Sequence, residues 1–104
     1  MKIQFNTDKN IDGTEDFTSP FIVLIEEELK QFKDQITRIE VHLSDEDGDK
    51  DGLNAKRCLL EARISGIKPI AVSSQSDTEE QALTESLNKL NTSLKTIFGR
   101  INNR

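Results

Sequence analysis

Two side chains in this sequence could combine as a thiol nucleophile and its base: Cys58, the only cysteine, and His42, the only histidine. That chemistry needs both groups on one surface, with the base taking the thiol proton. The local patterning separates them. Ile39, Val41 and Leu43 alternate with Arg38, Glu40 and His42, and Cys58, Leu60, Ala62 and Ile64 alternate with Arg57, Leu59, Glu61 and Arg63. Residues two apart share a strand face. Cys58 therefore goes with the apolar set and His42 with the polar one, and a buried, inert thiol beside a surface histidine is expected. A second chemistry is suggested by Asp47-Gly48-Asp49-Lys50-Asp51-Gly52, which reads D-x-D-x-D-G, the opening of a calcium loop with glycine at its sixth position. Its twelfth position is Cys58 instead of a bidentate glutamate, and both flanks read as strands. A solvated hairpin loop thus stands against a weak cation site on Asp47, Asp49 and Asp51. The chain carries no Gly-rich phosphate loop, no Gly-x-Ser-x-Gly and no His-Glu-x-x-His. Neither an enzymatic reaction nor a cofactor is expected.

The basic residues carry a different possibility. Residues 1–52 hold fourteen acids and six bases, and residues 53–104 hold five acids and eight bases, within an overall charge of −5. From Leu87 onward the chain has Lys89, Lys95, Arg100 and Arg104 and no acidic side chain. Such a split between halves suits a surface that faces a polyanion. It equally suits a helix with acids at its start and bases at its end, matched to the macrodipole. With no Trp or Tyr and five Phe, stacking on single-stranded bases is not expected to carry binding.

The elements that position these residues follow from periodicity. Ile3 and Phe5 alternate with Lys2, Gln4 and Asn6, which predicts a strand. Ser19-Pro20 reads as N-cap and first helical residue. From there Phe21, Leu24, Ile25, Leu29 and Phe32 form one stripe, predicting a helix from Pro20 to about Asp34. Strands over Arg38–Leu43, Ala55–Ile64 and Pro69–Ser74 follow, with Ser65-Gly66 as a tight turn and Pro69 suited to an edge. Thr78, with Gln81 three residues on, fits a capping box. A final helix then follows on the seam Leu83, Leu87, Leu90, Leu94, Ile97, Ile101. The expected fold is α+β, in the order β-α-β-β-β-α. The first two strands are parallel through a right-handed crossover. One four-stranded mixed sheet results, with both helices on the face lined by Val41, Leu60 and Val72. Arg38, His42, Arg57 and Arg63 take the other face. One domain over 1–104 is expected. No apolar run is long enough for a membrane helix. Met1–Phe5 lacks a signal-peptide core, and the lone cysteine allows no intrachain disulfide; a cytoplasmic setting is expected.

The element order, the helix ending Leu29-Lys30-Gln31-Phe32, the strand Ile39-Glu40-Val41-His42-Leu43, and Ser76-Asp77-Thr78 leading to Ala82 and Lys89-Leu90 together resemble the ribosome hibernation-promoting factor family, also called ribosome-associated inhibitors or the sigma-54 modulation family. The resemblance covers essentially the whole chain. It implies a non-catalytic protein that binds the small ribosomal subunit in the channel used by mRNA and tRNA and damps translation in stress or stationary phase. It implies rRNA as partner, with ribosomal proteins as further candidates, and neither a membrane nor a small-molecule substrate. Basic side chains would contact rRNA phosphates, as shape recognition of the backbone. Here the candidates are Lys89, Lys95, Arg100 and Arg104 on the last helix and Lys56, Arg57 and Arg63 on the third strand. Longer members pair ribosomes through a C-terminal domain, which is not expected of a chain ending at Arg104.

Members of that family are usually more basic along both helices, whereas Glu26-Glu27-Glu28 here meets only Lys30 and Lys33. This departure motivates the alternative, an acidic protein–protein interaction module of the same fold that no longer binds ribosomes. A double-stranded-RNA-binding domain, α-β-β-β-α, is close in topology. It places a basic cluster where this chain has Thr78-Glu79-Glu80, which speaks against it.

Overall fold

A computed structural model describes residues 1–11, 13–46 and 55–102, with side chains described through residue 99. The elements are β1 (Lys2–Thr7), α1 (Glu15–Glu28), a 3-10 turn (Lys30–Phe32), β2 (Ile36–Asp45), β3 (Lys56–Ile64), β4 (Ile67–Ser76) and α2 (Glu79–Asn102). The strands form one sheet in the order β1-β2-β3-β4. β1 runs parallel to β2, and the other two pairings are antiparallel. The sheet is therefore mixed, and both helices pack on one face of it, as the alternation predicts.

Register explains how that face becomes a core. Phe5 lies opposite Val41, Val41 opposite Leu60, and Leu60 opposite Val72, so one apolar row crosses all four strands. Val41 and Leu60 are fully buried, while Phe5 and Val72 pack partly buried against the same cluster. α2 lies over β3 and β4 and inserts Leu83, Leu87, Leu90 and Leu94, all essentially without solvent contact. α1 and the 3-10 turn close the other half with Ile25, Leu29 and Phe32. Phe21 stacks on Phe5 of β1 at 6.1 Å between ring centroids, and Phe32 stacks on Phe98 of α2 at 5.6 Å. Two polar ties fix α2 along the sheet. Ser86 Oγ donates to the Cys58 carbonyl at 3.2 Å, and Ser76 Oγ donates to Glu85 Oε2 at 2.9 Å.

The first helix differs from its sequence reading. It begins at Glu15, with Thr14 as N-cap accepting from the Phe17 amide at 3.4 Å, so Ser19-Pro20 lies inside the helix and not at its start. Glu15 and Asp16 in the first turn suit the positive end of the macrodipole. Phe17 meets Phe21 edge-on at 5.1 Å, adding an apolar contact that rewards the earlier start. Pro20 removes one intrahelical donor, and the Ser19 hydroxyl beside it donates to the Glu15 carbonyl at 2.7 Å. The helix also ends sooner, at Glu28, where a 3-10 turn carries Phe32 into the core.

The other local signals hold with shifted bounds. Thr78 Oγ1 accepts from the Gln81 amide at 3.1 Å at the start of α2. Ser65-Gly66 joins β3 to β4, and Gly66 has φ +75°, a conformation that glycine takes without penalty. Pro69 falls in β4, an edge of the sheet. Asp12 and the Asp47–Gly52 motif lie outside the described residues, as does the outcome of the cation-loop reading.

Candidate functional site

Strand parity places the candidate bases of β3 on two faces. Arg57 and Arg63 both project from the open face, away from the helices, and both are exposed. They are six residues apart, roughly 20 Å along the strand. Lys56 has the opposite parity. It sits on the helix side at the end of the strand, where its ammonium meets the buried Asp45 carboxylate at 2.5 Å.

The open face has its own electrostatic order. Lys2, Arg38 and Arg63 lie opposite one another in one row across β1, β2 and β3. Like charges in directly opposed positions repel, and the next row supplies the counter-charge. Glu40 bridges Arg38 at 3.3 Å and Arg63 at 3.5 Å, and Arg63 also meets Glu61 at 3.2 Å. Gln4 accepts a further hydrogen bond from Arg38. Two arginines and two glutamates thus form a network of zero net charge. Sequence reasoning left Lys2 and Arg38 out of the candidate interface. Their shared parity was visible, but only the parallel register aligns them with Arg63.

On α2, Lys89 and Lys95 are both exposed and stand on opposite flanks of the leucine seam, since each is displaced by about 100° from a seam residue, in opposite senses. The Lys89 ammonium reaches the edge strand and donates to the Ser73 carbonyl at 2.6 Å. Lys95 lies one turn beyond Asn91, whose amide donates to the Glu28 carbonyl at the end of α1 at 3.1 Å. Arg100 falls within α2, its side chain outside the described set, and Arg104 lies outside the described residues. Among the described residues Arg57, Lys89 and Lys95 form no ion pair. These three cations are available to a phosphate without exchange of a carboxylate partner. The structure does not bring the five described candidates into one stripe: Arg57 and Arg63 lie on the open face, Lys56 on the helix side of β3, Lys89 toward the β4 edge and Lys95 on the other flank of α2.

Cys58 and His42 project from opposite faces, Cys58 buried across from Leu43 and His42 exposed across from Leu59. Burial pushes the Cys58 thiol up from 9.0 to about 11, with the neighbouring Ser86 side chain opposing the shift in smaller measure. A thiol held protonated there is a poor nucleophile. Between pH 9.0 and about 11 the folded state keeps a proton that the unfolded chain releases, so this contribution is intact below pH 9 and is lost as pH rises. The wild type is expected to lose about 2 kcal/mol more than Cys58→Ala between pH 8 and pH 10.5, read by urea unfolding at both values. A thiol reagent at pH 8 is expected to modify Cys58 only after denaturation. Among the described residues no three His, Cys, Asp or Glu side chains gather to hold a metal ion, and no helix is long and apolar enough to cross a membrane.

No family model matches the chain, and no curated protein does. Solved structures do. A ribosomal subunit interface protein from Coxiella burnetii superposes with a TM-score of 0.70 at 20% identity, over 95% of this chain and 99% of that one. The Protein Y N-terminal domain of Thermus thermophilus superposes with a TM-score of 0.68 at 18% identity, over 93% of this chain and 99% of that one. The chain has the fold of these two proteins nearly from end to end.

Proposed function

We propose that this chain is a non-catalytic, cytoplasmic regulator of translation that binds the small ribosomal subunit, in the manner of the hibernation-promoting factors, and holds ribosomes idle in stress or stationary phase. The observation that carries this reading is the end-to-end likeness to a ribosomal subunit interface protein, 95% of this chain against 99% of that one at a TM-score of 0.70. The motif resemblance in the sequence points the same way.

The proposed contacts are electrostatic. Arg57, Lys89 and Lys95 lead, because among the described residues no carboxylate competes for them. Arg100, within α2, and Arg104 are the further candidates. Arg63 and Lys56 join by exchanging Glu40, Glu61 and Asp45 for phosphate oxygens. Each neutralised phosphate releases counterions, so binding weakens steeply with salt. Sucrose-gradient sedimentation of stationary-phase lysate tests this. The protein is expected with small subunits or whole ribosomes at low salt and at the top of the gradient at high salt. Confinement to the top at both salts would sink the reading.

The second reading, an acidic interaction module, draws on the neutralised sheet face and the net charge of −5. The same gradient separates the two, since a module that has left the ribosome stays at the top at every salt.

A further inference from the structure

Beyond the ribosome reading, and independent of it, we propose that the groove between α1 and the start of α2 is a docking site for a cationic amphipathic helix of a protein partner. The groove has a volume of about 660 Å³ and runs along α1 from Asp16 to Glu28. That is thirteen residues, a rise of about 18 Å, the length of some three turns of a partner helix.

Its apolar part is built and fixed. Phe17, Phe21 and Leu24 line it while resting on the core. The edge-on Phe17–Phe21 pair and the Phe21–Phe5 stack hold its floor in one geometry. Val23 at its mouth is 56% exposed and, with Met1, is one of two exposed large hydrophobic residues among those described. An amphipathic helix read at i, i+3 or i+4 and i+7 fills such a groove.

Its rim selects the charge of the occupant. Asp16, Glu27 and Glu28 of α1 and Glu80 of α2 line the groove, and among the described residues no lysine or arginine does. Glu80 stands in the first turn of α2, where an acid suits the helix dipole. Glu26, Glu27 and Glu28 stand at the opposite kind of position. They occupy the last turn of α1, which holds no base and where the dipole favours cations. Local helix stability therefore does not account for them, whereas complementarity to a basic partner accounts for Glu27 and Glu28, the two that line the groove. The same carboxylates repel phosphates, which separates this groove from the cations proposed for rRNA.

The test is a titration of the 15N-labelled chain, residues 1–104, with a 14-residue helical peptide of leucine and lysine. Two controls accompany it, one with glutamate for every lysine and one with serine for every leucine. Shift changes are expected at the amides of Phe17, Phe21, Val23, Leu24 and Glu80, with neither control binding. Val23→Asp, and separately the pair Glu27→Lys and Glu28→Lys, are exposed changes expected to weaken binding at least tenfold, while Lys89→Glu with Lys95→Glu leaves it unchanged. Shifts scattered over Glu40, Glu46 and Glu61, or equal binding by the serine control, would overturn the proposal by showing mere attraction to an acidic protein. Concentration-dependent shifts at the groove without peptide would overturn it in favour of a second copy of this chain. None of these outcomes depends on the gradient, so the groove and the ribosome reading stand or fall separately.

Discussion

Reversing Lys89 and Lys95 together to glutamate is expected to weaken binding to small ribosomal subunits by on the order of 10- to 100-fold at low salt, and to reduce the slope of log K against log salt by about 2. The two residues form no ion pair among the described residues and stand on an exposed helix surface, so each reversal removes one cation and adds one repulsion. They lie on opposite flanks of the leucine seam, and the comparison of single reversals assigns the contact. A dominant effect of Lys89 means that RNA runs along the β4 edge; a dominant effect of Lys95 means that it approaches from the α1 side. A pelleting assay with purified subunits across a salt series reads both quantities. An unchanged affinity with a native circular dichroism spectrum would remove α2 from the interface.

The neighbouring residue gives the complementary result. Leu90→Ala is expected to destabilise the domain by about 3 kcal/mol, within the 2–5 kcal/mol found for buried leucines, and a small domain has only about 5–15 kcal/mol in total. Leu90 is 0% exposed, in the middle of the seam that α2 lays over β3 and β4. Its loss leaves a cavity that backbone on both sides keeps from closing. Urea unfolding should show the midpoint falling by about 2 M with the slope preserved. A shift below about 0.5 M would mean that the seam packs more loosely than described. Two adjacent residues, Lys89 and Leu90, thus separate binding from stability.

The strand order, both hairpin pairings and the leucine seam were legible in the sequence, because each rests on an alternation or period that burial enforces on one face. The start of α1 was not. Ser19-Pro20 has the chemistry of a helix start, and the earlier start at Glu15 shows only in the fold, where Phe17 meets Phe21 and Phe21 stacks on Phe5 of β1. The candidate bases were legible as residue types but not as a surface. Arg63 with Glu61 two residues away could be read as a same-face pair. The Glu40 bridge to Arg63 and the Lys56–Asp45 pair require the β2–β3 register. The groove on α1 was hidden for a related reason. Phe21 and Leu24 belong to the core stripe by period, and only the placement of the first turn of α2, with Glu80, leaves them lining an open channel.

The contact of Lys89 with the Ser73 carbonyl has a meaning apart from any ligand. β4 is an edge strand, and an edge with free donors and acceptors is a template on which another copy can add a strand and begin to aggregate. Here β4 carries Pro69, which has no backbone donor, and the Lys89 ammonium occupies a carbonyl of the same strand. At the other edge β1 is only six residues long and begins with Lys2. Charge, proline and short length guard the two borders of the sheet, so the residue proposed to hold a phosphate also keeps neighbouring copies of the chain from joining edge to edge.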